Sequence, residues 1–525
     1  MSDVARFVEL VRQGLEANRR GDALLALTSY DRALALQPRS ADALFNRGNA
    51  LLALGRYPEA LASYEKALEL RSDDAEALNN RGNALRALGR HAEAVASYEH
   101  ALRIVPAYAK ALGNRGTALL ALERAHEALD SFRQAYTASQ DAPWMIGIAH
   151  ALHALERNEE ALEAYERALA VNPSAVAALG GRGNVLQALN RHEEALSAYQ
   201  HALAIDPKDA ETHWNEALVR LTLGDYRRGW EKYEWRWDNP ALRSPRRHSD
   251  KPLWMGERDI AGQTILLHAE QGYGDAIQAI RYAPLVAASG GRVIVHCRVA
   301  LSGLFRSVQG VAQVVTDEDP LPPFDCHTPL MSLPLAFRTT LETIPASVPY
   351  VAAPQPRVHA WRTRLARHGG KPKVGLAWRG NPDFSRVHAK SCPVERLLPL
   401  MREDCTFFSL QTGDAGADAA RLGLIADHIG ELQTFDDTAA LVQALDLVIT
   451  VDTAVAHLAG ALARPVWIML PFSADWRWLR GREDSPWYSS ACLVRLPRAS
   501  DWDSVVAAVR QRLRDHCVGK EKTDG

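Results

Sequence analysis

The sequence predicts an α-helical solenoid of about seven helix pairs followed by an α/β module of two parallel-sheet lobes. Three observations predict this. A self-similar unit recurs from roughly residue 8 to residue 240. From Ile260 onward, short β-rich runs alternate with helical ones. The proline-spaced stretch "IPASVPYVAAPQPR" (344–357) then reads as a crossover that divides this second region in two.

The repeat comes first. "NRGNALLALGRYPEALASYEKALEL", from Asn46, returns as "NRGNALRALGRHAEAVASYEHALRI" from Asn80, 34 residues on. An aromatic marks each unit, at Tyr30, Tyr64, Tyr98, Phe132, Tyr165, Tyr199 and Tyr233. Small residues such as Ala26, Ala60 and Ala94 recur beside it. The small residues let the two helices of a unit approach closely, and the aromatic fills the gap to the next unit. The pattern resembles tetratricopeptide repeats, so residues 1–240 are read as a repeat superhelix.

Asn46, Asn80, Asn114 and Asn215 hold one equivalent position in these units. An amide donates and accepts at once, so such a ladder suits an extended peptide backbone. Array and ladder together are similar to the repeat region of O-GlcNAc transferases, whose groove holds protein substrates. Gly147 and Gly181 break the ladder here, and a plain helix-surface role for the asparagines stays open. Residues 241–259 end a Trp- and Arg-rich stretch that loses the period; they read as a linker that caps the apolar end of the solenoid.

The second region reads as an N-terminal lobe (260–350), a crossover linker (351–372), a C-terminal lobe (373–517) and a disordered tail (518–525). "TILLHAEQGYGDAIQAIRYAPLVAASGGRVIVHC" is strand, Gly-containing loop, helix, strand, which implies a parallel sheet. The second lobe shows apolar runs at 373–378, 406–410, 445–451 and 464–470, each followed by a helical stretch. "GYGD" lacks the third glycine of a dinucleotide fingerprint, and the next strand ends in Cys297-Arg298 rather than an acid. Both disfavour NAD. No P-loop is present. The "DED" triplet at 317–319 resembles a metal-binding motif of some sugar transferases, but so short an acidic turn recurs by chance, and no metal is expected.

Composition narrows the field. With 61 basic and 63 acidic residues the net charge is −2, which argues against nucleic acid as a partner. The six cysteines are scattered without metal or disulfide spacing, as for free thiols in a reducing compartment. With no apolar run long enough to span a bilayer, the expectation is a soluble cytoplasmic protein.

Chemistry concentrates in "VITVDTAVAHLAGALARPVWIML" (448–470). A buried strand runs into a helix whose first residues are read as Thr453 to Ala456, and a helix N-terminus offers N–H groups to an anion. His457 stands one turn on, above Thr453. Equally, Asp452 or Thr453 can be an N-cap and His457 a satisfied core imidazole. Strand, "DTAVAHLAGALARP" and strand resemble the DT-x-x-x-H segment of glycosyltransferase family 9, the bacterial heptosyltransferases. The likeness extends to "EQGYGDAIQAIRYAP" and "GLAWRGNPDFSRVHAKSCP", and covers roughly residues 260 to 515.

That resemblance implies a GT-B fold of two Rossmann-like lobes and transfer of a sugar from a nucleotide donor. Asp275, beside Gly274, would be the general base, although a carboxylate there can equally serve only to cap the helix that begins at this point. Lys390, with Asp452, Thr453, Ala454 and His457, would form the donor-phosphate site, although Arg386 or His388 of the same loop can serve in place of Lys390. Arg379, Asn381 and Gln411 follow strand ends and line the cleft. Family members invert the anomeric centre by direct displacement, with no cofactor or metal beyond the nucleotide sugar. Heptosyltransferases carry no repeat array, so a protein acceptor held by the repeats is expected here. A lipopolysaccharide or other glycan acceptor is the alternative. So is a non-catalytic scaffold with a degenerate sugar-nucleotide module, and an epimerase of similar fold explains the cleft but leaves the repeats without a role.

Overall fold

A computed structural model describes residues 2–242, 245–248, 250–380, 390–413 and 416–521, with side chains through His516. Among these, fourteen helices alternate in pairs from Asp3–Arg19 to Tyr226–Tyr233. The repeat aromatics are the pins of the stack. Tyr30, Tyr64, Tyr98, Tyr165 and Tyr199 are fully buried, and each pair packs because glycine stands opposite the ring. A Cβ on Gly48 would lie 2.6 Å from Tyr64, and one on Gly82 would lie 2.4 Å from Tyr98. The buried hydroxyls need acceptors. Those of Tyr64, Tyr98 and Tyr199 find them at Asn49 (2.7 Å), Asn83 (2.8 Å) and Asn184 (2.7 Å), one residue past the glycine, while the Tyr30 oxygen accepts from Asn18 at 3.3 Å.

The turn inside each pair puts one residue in the left-handed region: Gly21, Gly55, Gly89, Glu123, Glu156, Asn190 and Gly224. Two of these are glutamates, at φ 59° each. A side chain there costs about 1–2 kcal/mol, partly offset by the greater freedom glycine loses on folding. The double variant Glu123→Gly/Glu156→Gly is therefore expected to gain on the order of 1 kcal/mol in denaturant unfolding. A loss would mean that the glutamate side chains themselves hold the turns.

Residues 1–189 and 197–207 form one compact unit; 190–196 and 208–525 form the other. The seventh helical pair thus folds with the α/β region rather than with the array. Its Tyr226, Trp230 and Tyr233 enter a core that continues through both lobes to Trp476 and Trp487.

The first lobe has four parallel strands, β1 (Thr264–His268), β2 (Arg292–Cys297), β3 (Val311–Thr316) and β4 (Cys326–Pro329), in the order β3-β2-β1-β4. The second has five, β5 (Lys373–Ala377), β6 (Thr406–Ser409), β7 (Leu447–Val451), β8 (Val466–Leu470) and β9 (Ala491–Arg495), in the order β6-β5-β7-β8-β9. Two such all-parallel lobes are consistent with a GT-B-like fold.

Some expected boundaries differ from what is seen. Stretch 241–259 does not end as a bare linker. Trp254 is buried in the first lobe, and its N–H donates to His327 O at 2.9 Å alongside β4. Within 351–372, Gln355–Ala366 is a helix that buries Val358, Trp361 and Leu365, an apolar spacing of three, four and seven that the flanking prolines obscure. The C-terminal helix runs from Trp502 to Glu521, past residue 518, and only 522–525 lie outside the described residues.

Candidate active site

Strand order locates the site. The winding reverses between β1 and β4 in one lobe and between β5 and β7 in the other. Open α/β sheets take ligands at the carboxyl ends of strands beside such reversals. Asp275 follows β1, Trp378 to Gly380 follow β5, and Asp452 to His457 follow β7.

Asp275 sits in the first turn of the Tyr273–Ala279 helix. Its Oδ2 accepts the Gly272 N–H at 2.8 Å, so it does cap the helix, supplying the return half of a capping box whose N-cap, a glycine, has no side chain to complete it. Its Oδ1 accepts from the Arg477 guanidinium of the other lobe. The carboxylate is therefore both cap and ion-pair partner, and 25 % of the side chain is exposed. Gly274 is where the lobes meet. A Cβ there would stand 2.7 Å from His457 Cδ2 and 3.6 Å from Ala454 Cα.

The helix after β7 runs Ala454–Ala461 with Thr453 at its N-cap, one residue later than the sequence reading. Thr453 makes no side-chain cap bond; its hydroxyl pairs with that of Thr450 at 3.1 Å. That conformation keeps the first-turn N–H groups free of the local cap that threonine usually supplies.

His457 is 5 % exposed, with Nδ1 2.9 Å from the Tyr488 hydroxyl and its ring stacked on Trp478. Burial, reinforced by the Arg477 charge, lowers it to about 4. At neutral pH it is an uncharged hydrogen-bonding ring, so it adds no positive charge to an anion site. The unfolded chain takes up this proton below about pH 6.5 while the folded chain resists until about pH 4. Stability is thus full above the upper value and falls through that window, by about 3 kcal/mol at most. Removing the imidazole in His457→Gln should flatten that share of the acid slope in denaturant melts from pH 7 to 4.

Lys390 Nζ lies 3.1 Å from Asp452 Oδ2 and 4.0 Å from Asp475 Oδ2. The Asp452 charge raises the lysine well above its usual range. Arg477 also donates to Asp475 Oδ1 at 2.8 Å and to Gln278 Oε1 at 2.6 Å, with its guanidinium 4.2 Å above Trp476. Burial pushes Asp475 up, but Arg477 and Lys390 together prevail and hold it at about 2. Lys390, Asp475, Arg477 and Asp275 form one chain of alternating charge across the cleft. In the sequence, "DWRWLRGREDSPWY" (475–488) reads as an aromatic, basic stretch able to shape the acceptor or donor pocket or to supply core tryptophans, without singling out Asp475, Arg477 or Tyr488. No spacing rule pairs an arginine with an aspartate 202 residues away.

Among the cleft-lining candidates, Gln411 turns its carbonyl to the backbone N–H groups of Trp378 (3.2 Å) and Arg379 (2.9 Å), tying the ends of β5 and β6. Arg379 is 4.0 Å from Asp418. Asn381, Arg386 and His388 lie outside the described residues. Asp319 of the acidic triplet accepts from Thr316 N and Oγ1, closing the end of β3. Among the described residues no group of three or more His, Cys, Asp or Glu is arranged to hold a metal.

Most of the asparagine ladder is wired to other asparagines, partly between successive repeats. Asn114 donates to Asn79 (3.0 Å), Asn79 to Asn80 (3.0 Å) and Asn80 to Asn49 (2.9 Å), while Asn46 bonds Asp42 O of its own helix. Asn215 is half-buried. The ladder stops at Gly147 and Gly181 for a steric reason: a Cβ at either would stand 2.4 Å from the neighbouring aromatic, Phe132 or Tyr165.

Comparison with known proteins adds two family matches. The tetratricopeptide repeat model matches residues 11–75, 46–109, 79–143 and 146–210. The model of glycosyltransferase family 9 (heptosyltransferase) matches residues 423–469, which take in Asp452, Thr453, Ala454 and His457 but neither Asp275 nor Lys390. The chain thus carries tetratricopeptide repeats and, downstream of them, a stretch that matches glycosyltransferase family 9. Protein FlbA of Caulobacter vibrioides is 27% identical to this chain over 332 residues, covering 57% of the chain and 54% of FlbA. The chain spans about half the length of that curated relative. Solved structures similar to the repeat region include a tetratricopeptide repeat protein from Parabacteroides merdae (19% identity, 44% of this chain, 91% of that one, TM-score 0.40). PilF of Pseudomonas aeruginosa is another (20% identity, 41% and 99%, TM-score 0.36). The family 9 match supports a glycosyltransferase. No helix among the described residues is long and apolar enough to cross a membrane.

Proposed function

We propose that the C-terminal unit transfers a sugar from a nucleotide-sugar donor to an acceptor hydroxyl, and that the acceptor is a protein held by the repeats. The observation that carries this is the meeting, at paired strand-order reversals, of Asp275 from one lobe with Lys390 and the Thr453–His457 helix start from the other. In the proposed step the acceptor oxygen attacks the anomeric carbon and its proton passes to the Asp275 carboxylate. The bond to the nucleoside diphosphate breaks as the new one forms, so configuration inverts. The leaving phosphate places its growing charge against Lys390 and the N–H groups of Ala454 and Val455. These roles need no metal.

One observation favours a non-catalytic scaffold instead: both Asp275 oxygens already have partners. A glycan acceptor fits the same cleft chemistry. Thermal melts with UDP, GDP, ADP and their sugars separate the readings. A ligand at 100 times its dissociation constant adds about 2.7 kcal/mol. Stabilisation by one nucleotide, lost in Lys390→Ala, supports the donor site, and release of that nucleotide on adding protein or glycan acceptors distinguishes the acceptor class. No response to any nucleotide leaves the scaffold.

A further inference from the structure

The last helical hairpin reaches Asp275 from two sides. Its second helix (Tyr226–Tyr233) and following 3-10 turn (Glu234–Trp237) share a compact unit with both lobes. On one side Arg236, 1 % exposed, donates to Glu270 Oε1 at 3.2 Å and Ser332 Oγ at 2.7 Å, and its other terminal nitrogen meets Glu234 at 2.5 Å. The Tyr233 hydroxyl donates to Gln271 Oε1 at 3.0 Å. Glu270 and Gln271 lead directly into Gly272, whose N–H holds the Asp275 carboxylate. On the other side Trp230 meets Trp476 edge-on, with ring centres 5.1 Å apart, and Trp476 carries Arg477, the second partner of Asp275.

An end cap needs only apolar cover. Burying Arg236 and Glu270 carries a desolvation cost that Coulomb attraction does not reliably repay, so such pairs are poor devices for stability alone. Glu270 is 4 % exposed, and its second oxygen has no partner among the described residues. Burial pushes it up to about 7 against the Arg236 charge. Directional bonds converge on one turn, Glu270-Gln271-Gly272, which leads into the N–H that holds Asp275, while Glu270 also accepts the Met331 N–H at 3.2 Å just past β4.

We propose that Arg236 and Tyr233 are positioning residues for sugar transfer, fixing the Glu270–Gly272 turn so that Asp275 faces the acceptor hydroxyl. The proposal rests on Asp275 acting as the base. It makes the seventh repeat part of the transferase rather than the end of a binding array.

The test uses the full chain and three variants: Arg236→Lys, Tyr233→Phe, and the pair Arg236→Met/Glu270→Gln, which removes the two most buried charges and leaves Glu234, 23 % exposed, to solvent and to its bonds from Ser332 and Trp237. Amide hydrogen exchange at Gly272 and steady-state transfer are measured together, with thermal melts as the check on folding. In the paired variant, exchange at Gly272 is expected to quicken about tenfold. Its kcat should fall by about ten- to a hundredfold with donor KM unchanged, as for a displaced catalytic group. Arg236→Lys, which keeps the charge, should recover part of the loss, and Tyr233→Phe should lose less than the paired variant. Unchanged exchange overturns the proposal whether or not the chain transfers sugar. Faster exchange with wild-type kcat overturns it too, because the turn then serves folding alone. A wild-type chain without transfer activity sinks the base assignment instead, and that is read before any variant is made.

Discussion

Asp275→Asn is expected to lower kcat by about two to four orders of magnitude, the usual contribution of a general base. The fold should persist, because an asparagine oxygen can still accept the Gly272 N–H that Asp275 now holds at 2.8 Å. Donor KM should hardly move, since Asp275 stands on the lobe opposite Lys390. The comparison with Asp275→Ala separates the two roles visible in the structure. Alanine loses base and cap together, at an added stability cost of about 1 kcal/mol. Full activity in the asparagine variant with impairment only in alanine would make Asp275 a cap and no more.

Lys390→Ala should strike the other half of the cleft. Loss of a preorganised cation on a leaving phosphate typically costs about 10²–10³ in rate. Here the variant also leaves Asp452 and Asp475 without the lysine that balances them, so donor binding should weaken as well. Raised donor KM with lowered kcat, in a chain that melts near the wild-type temperature, is the expected pattern. Unchanged donor binding would transfer the phosphate role to Arg386 or His388.

The repeats were legible because glycine and aromatic recur at fixed offsets, and only close packing demands both. The strands β1, β2, β5, β6, β7 and β8 were legible as apolar runs between turn residues. β3 and β4 were not, since Ala312 and Gln313 are exposed and β4 is the short "CHTP". β9 is masked by the aromatic stretch (475–488) before it. In the candidate site, the DT-x-x-x-H segment declared itself because a hydroxyl and an imidazole follow an otherwise apolar strand. Asp475 and Arg477 did not, because their partners lie on other elements and sequence spacing carries no trace of them. Of the two duties of Asp275, the helix cap is a local pattern open to a sequence reading, whereas the salt bridge to Arg477 depends on how two lobes close.

The carboxylates around Lys390 bear on turnover. Asp452 and Asp475 both pair with the lysine. If Lys390 takes the donor phosphate, as proposed, an incoming diphosphate would have to displace them, and the same two groups would compete with the spent nucleoside diphosphate for that contact. Such a cleft would trade affinity for speed of product release, and Asp475→Asn should then make the by-product bind more tightly and leave more slowly.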